Sequence, residues 1–135
     1  MINSYIGALK RPFVLLALCG FSIIAQAEVT PVIEVNILQD VDFGDVVIGE
    51  TDSDEMAFSI TTNGINADII YTIDVSPSCS DIFEVSHDGE TGLRIQRVVN
   101  NVNHVDVGVV VDLVNTSSKP QDSYTCFIDL SADFN

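Results

Sequence analysis

The chain has 135 residues, 20 of them acidic and only five basic, for a net charge of −15, with 47% hydrophobic residues and no tryptophan. A surface of that sign repels phosphate backbones and anionic headgroups, which argues against nucleic acid and membrane surfaces as partners. The length holds one ordinary domain behind a leader.

Residues 1–27 read as that leader. Lys10 and Arg11 precede the apolar run Phe13 to Ile24, and Ala25-Gln26-Ala27 places small residues at −3 and −1 of a cut. This is a secretory signal of bacterial type, with cleavage expected after Ala27. The apolar run falls short of the roughly 20 residues a spanning helix needs, so no stable membrane anchor is expected after cleavage. Cys19 lies in a lipobox-like setting, but Leu18 is not the small residue that lipidation requires. Residues 28–135 keep all 20 acids and only Arg94, Arg97 and Lys119 of the bases, for a net charge of −17. The expected destination is the periplasm, the cell surface or the extracellular space. In such an oxidising compartment the two remaining cysteines, Cys79 and Cys126, are expected to pair. A redox or zinc site needs close spacing such as C-x-x-C, which the sequence does not contain.

Along 28–135, β-branched and aromatic residues recur in short runs bounded by Gly, Pro, Asn and Asp, and no stretch keeps a helical apolar period. The strands expected in chain order are 32–38, 41–43 continued by 46–48 after Gly44, 55–61, 69–75, 82–85, 92–98, 107–114 and 124–132. Turn signals separate them at Ile48-Gly49-Glu50, Asn63-Gly64, Ser76-Pro77-Ser78, Asp88-Gly89 and Ser118-Lys119-Pro120. Seven or eight strands at this spacing predict an all-β, two-sheet antiparallel β-sandwich. In the first strand Pro31, Ile33, Val35 and Ile37 alternate with Val32, Glu34, Asn36 and Leu38, and a proline at its start suits an edge. In the last strand Tyr124, Cys126, Ile128, Leu130, Ala132 and Phe134 form one apolar face. The expected core is Phe43, Phe58, Ile69, Tyr71, Ile73, Val109, Val111, Ile128 and Leu130.

The acidic residues are the first place to look for chemistry. Asp40, Asp42 and Asp45 surround Gly44, and Asp52, Asp54 and Glu55 follow. A helix-loop-helix calcium loop started at Asp40 puts Gly44 at position 5 and Thr51 at position 12, so the template fails. A solvated acidic face and a looser oxygen-ligand site at one end of the sandwich remain as the two readings. His87 and His104 fall in turn-like segments, where a plain surface role is expected of each. No G-x-S-x-G, H-E-x-x-H or phosphate-binding glycine loop occurs. No catalytic residue, metal ligand or cofactor is therefore assigned.

The run Val41-Asp42-Phe43-Gly44-Asp45-Val46-Val47-Ile48-Gly49-Glu50, followed by Phe58-Ser59-Ile60 and Asn63-Gly64, resembles two groups of immunoglobulin-like domains. One is the hydin and abnormal-spindle type, with its "FG-x-V-x-x-G" segment, over roughly residues 32–75. The other is the fimbrial subunits of the chaperone-usher pathway. Both resemblances imply an immunoglobulin-like β-sandwich. The second implies a non-catalytic subunit that assembles into a fimbria or surface fibre by strand exchange, with identical subunits and a periplasmic chaperone as its protein partners. It would make Pro31, Ile33, Val35 and Ile37 the donated strand, and Ile128, Leu130, Ala132 and Phe134 the strand a chaperone engages. The alternative is a stand-alone protein-binding module, and the third reading a small metal-dependent or hydrolytic enzyme.

Overall fold

The short β-branched runs form eight strands: β1 Ile33–Gln39, β2 Asp52–Thr62, β3 Ala67–Val75, β4 Phe83–His87, β5 Glu90–Thr91, β6 Arg94–Val102, β7 His104–Leu113 and β8 Ile128–Phe134. They come from a computed structural model that describes residues 27–79 and 81–135; of the expected signal sequence only Ala27 lies among the described residues. Every pairing is antiparallel. One sheet has the order β1-β2-β7-β4-β5 and the other β6-β3-β8. Pro31–Asn135 is one compact unit.

The period-two pattern decides which side chains enter the sandwich. Met56, Phe58 and Ile60 of β2 and Val107, Val109, Val111 and Leu113 of β7 meet Ile69, Tyr71, Ile73 and Val75 of β3 and Ile95 of β6, all of them buried. Removing one such aliphatic side chain from water contributes about 1.5–3 kcal/mol. Six of the nine core residues expected from sequence are buried in this way. The other three, Phe43, Ile128 and Leu130, are half-buried. Phe43 lies in a loop and stacks on Phe83 at 6.2 Å, while Ile128 and Leu130 belong to β8, an edge strand whose inner face is packed from one side.

Two expectations about strands are corrected. Residues 41–48 are irregular instead of two short strands. There the carboxylate of Asp42 accepts the Gly44 N–H and that of Asp40 accepts the Val41 N–H, so local side-chain acceptors take donors that a ladder would have used. Gly44, at φ 61°, then turns the chain in a conformation that glycine adopts at no steric cost. Residues 124–127 are also irregular. The β3–β8 register ends at Val75↔Ile128, and β3 passes into a short 3-10 turn at Pro77–Cys79, so the segment before β8 has no strand to pair with. At the expected Asp88-Gly89 turn the two-residue strand β5 pairs back on β4. The two turn residues have φ 46° and 80°, the mirror-type geometry that closes a two-residue hairpin.

Candidate functional site

A two-sheet sandwich has two seams where sheet edges face each other, and here they are built differently. On one side β5 lies against β6. That seam is bridged by Arg97 of β6, whose Nη2 lies 3.7 Å from Asp88 Oδ2 and 3.6 Å from Glu90 Oε1. On the other side β1 lies against β8. Both are sheet edges, with β2 and β3 respectively as their only strand partners among the described residues. Their inward residues, Ile33 and Val35 on β1 and Ile128, Leu130 and Ala132 on β8, pack against the core yet stay half-buried. Ile37 is 62% and Phe134 40% exposed at the ends of these strands. This seam is apolar and incompletely covered, and both strands hold edge positions, where outward backbone groups can recruit another strand.

At the end of the open seam, where β1 stops and β8 begins, lies a groove of about 1200 Å³. Its apolar lining reaches the core through Met56, Val111 and Leu113 and includes Phe43, Phe83 and Ile128. Its walls are irregular segments, residues 40–46 and 48 on one side and 119–127 on the other. Five aspartates, Asp40, Asp42, Asp45, Asp122 and Asp129, line it together with one lysine, Lys119, whose Nζ is already 3.1 Å from Asp81 Oδ2. The 119–127 wall is held by the disulfide between Cys79 and Cys126, with Cα atoms 4.9 Å apart, and by the Ser76 N–H donating to the Phe127 carbonyl.

The structure thus places the two strands singled out from sequence next to each other. Ile33, Val35 and Ile37 pair with Thr62, Ile60 and Phe58 of β2 in the same chain, and Pro31 precedes β1 as an exposed residue. Ile128, Leu130, Ala132 and Phe134 pair with Val75, Ile73, Tyr71 and Ile69 of β3 and leave the other edge of β8 open.

A second cluster was not legible as such in the sequence. His87, expected at the surface, is buried, because Phe83, Val85 and His87 alternate inward along β4. That same period-two pattern was the available signal. Its Nδ1 lies 2.7 Å from the Gly108 carbonyl, which can only accept, so Nδ1 carries a proton; in the neutral ring Nε2 then accepts from the Tyr71 hydroxyl at 2.7 Å, with Asp88 Oδ2 3.5 Å from the same nitrogen. The bond joins β4 of one sheet to β3 of the other. Burial pushes the Tyr71 phenol above its ordinary pKa; the Arg97 charge opposes that rise, and Asp88 and Glu90 add to it. Arg97 Nε is buried without an acceptor. Arg97→Met is expected to change stability by less than about 1 kcal/mol, since half-exposed ion pairs contribute little and the substitution removes an unsatisfied donor. Thermal melts of the two proteins check this, and a loss above about 2 kcal/mol would mean that the bridge holds the seam.

His104 stands at the start of β7 with Nε2 3.0 Å from Asp106 Oδ1, and both side chains are more than half exposed. No three His, Cys, Asp or Glu side chains converge as a metal-holding group among the described residues. No protein-family model matches the chain, and no curated protein is similar to it in sequence.

Proposed function

We propose that the chain is a non-catalytic, exported structural subunit that joins a fimbria or other surface fibre by strand addition, on a sandwich of immunoglobulin-like kind. The observation that carries this reading is the β1/β8 seam. Two neighbouring edge strands leave their inner faces half-buried, and a groove of mixed lining, with Met56, Val111 and Leu113 on its core side, opens at the end of the seam. A strand supplied by a partner would pair with the open edge of β8 through its backbone and cover the exposed apolar side chains with its own, which is the way sheet edges recruit extended segments. Such an edge left open is an aggregation hazard, so a dedicated occupant is the physical expectation. The signal sequence and the disulfide suit assembly outside the cytoplasm.

A second reading, a stand-alone protein-binding module, is favoured by one observation: β1 pairs along its length with β2 of its own chain, which leaves the molecule able to exist as a closed monomer. The test is to recover the protein from exporting cells without heating and to resolve it on a denaturing gel. Fibre assembly predicts high-mass ladders that collapse to monomer on boiling. It also predicts that the amides of Ile128–Phe134 gain protection from hydrogen exchange in the assembled form. A soluble complex of fixed stoichiometry supports the module, and a monomer that protects no β8 amide under any condition overturns both.

A further inference from the structure

We infer that the groove at the end of the open seam takes an extended segment of a different protein, one that alternates apolar with cationic residues, and not a segment of another copy of this chain. The inference rests on the strand-addition reading above and adds the chemistry of the occupant.

It follows from the charges around the groove. The groove's core side is formed by apolar residues, Met56, Val111, Leu113, Phe83 and Ile128, so the side chains that an extended occupant turns toward it are apolar. The rim is of one sign, with Asp40, Asp42, Asp45, Asp122 and Asp129 facing a single base. That base, Lys119, is held by Asp81, and the other two bases among the described residues are engaged as well, Arg94 with Asp74 at 3.6 Å and Arg97 with Asp88 and Glu90. The chain therefore has no uncommitted lysine or arginine there with which to neutralise the rim, and an occupant has to supply the positive charge. A second copy does not qualify. Its segment 28–37 carries Glu28 and Glu34 and no base, and residues 28–135 as a whole carry the same net charge of −17. Like charges brought face to face across an interface oppose docking, whereas a cationic segment would be steered into the groove and held at its rim.

The test uses the protein purified from exporting cells and three synthetic ten-residue probes of identical apolar positions, with lysine, serine or glutamate at the alternate positions, plus a peptide of residues 28–37. Titration at low salt is expected to give binding of the lysine probe at least about tenfold tighter than the glutamate probe, a preference that fades toward 1 M salt where the screening length is about 3 Å. Asp42→Asn, Asp45→Asn and Asp122→Asn together retain the oxygen acceptors and are expected to remove most of the preference without altering the thermal melt. If all three probes bind alike and salt has no effect, strand addition stands and the cationic occupant is overturned. If the 28–37 peptide binds more tightly than the lysine probe, the occupant is a copy of this chain and the inference fails. If no probe binds, the groove is not a strand site and both readings fall.

Discussion

Breaking the Cys79–Cys126 bond is expected to cost about 4 kcal/mol of stability, the chain-entropy value for a link across a sequence separation of 47. For a domain of this size that is a fall in melting temperature on the order of 15–30 °C. The mechanism is mostly in the unfolded chain, but the native consequence is local. Cys79 is fully buried in the 3-10 turn that follows β3, while Cys126 sits in the irregular segment that walls the groove. With the bond gone, that segment keeps the Ser76-to-Phe127 backbone hydrogen bond and few other ties to the body. Cys126→Ser should therefore lower the urea midpoint and also weaken any ligand held in the groove. Equilibrium unfolding with and without reductant measures the first effect, and an unchanged midpoint would show that the link contributes nothing. A Cys79→Ala, Cys126→Ala double variant guards against effects of the thiol left behind.

Tyr71→Phe is expected to lower stability by about 1–3 kcal/mol, the cost of leaving the buried His87 Nε2 without its donor. The same substitution should change the alkaline limb of the stability profile. Burial raises the Tyr71 pKa in the native state, so the folded protein keeps the phenol proton to higher pH than the unfolded chain does. Below the ordinary tyrosine value of about 10 both states are protonated and the contribution is constant. Above it the unfolded chain has released a proton that the folded chain still holds, so rising pH favours unfolding until the native phenol itself ionises. Urea midpoints at pH 8, 10 and 11 should fall more steeply for the wild-type protein than for the phenylalanine variant. Parallel profiles would mean that Tyr71 has no part in the alkaline transition.

Much of this architecture is local information. Runs such as Ile69 to Val75 carry β-branched and aromatic residues at period two, and that pattern by itself names both the strand and its buried face. Asp88-Gly89 names a hairpin turn, and two cysteines behind an expected signal sequence name a disulfide that the structure contains. Segments whose fate depends on a partner are where sequence reading failed. Val46 to Ile48 and Tyr124 to Phe127 have strand composition, yet composition cannot say whether a neighbouring strand is within reach, and here none is.

The candidate site divides along the same line. The alternating faces of 31–37 and 128–134 were readable in sequence, because alternation is a property of the strand alone. That β1 and β8 become neighbouring edges, and that aspartates of two distant loops and of β8 line one groove, follows from sheet order. Sheet order is a long-range choice, made by which apolar faces can be buried together. His87 shows the limit most sharply. Its period-two position marked it for the interior, but only the packing of β4 against β3 supplied the Tyr71 hydroxyl that makes a buried imidazole affordable. By itself the sequence determined an acidic, disulfide-linked, all-β chain with its strands and their inward faces, because those depend on neighbours in the chain. The tertiary structure alone decided which edges stay open, because that depends on neighbours in space.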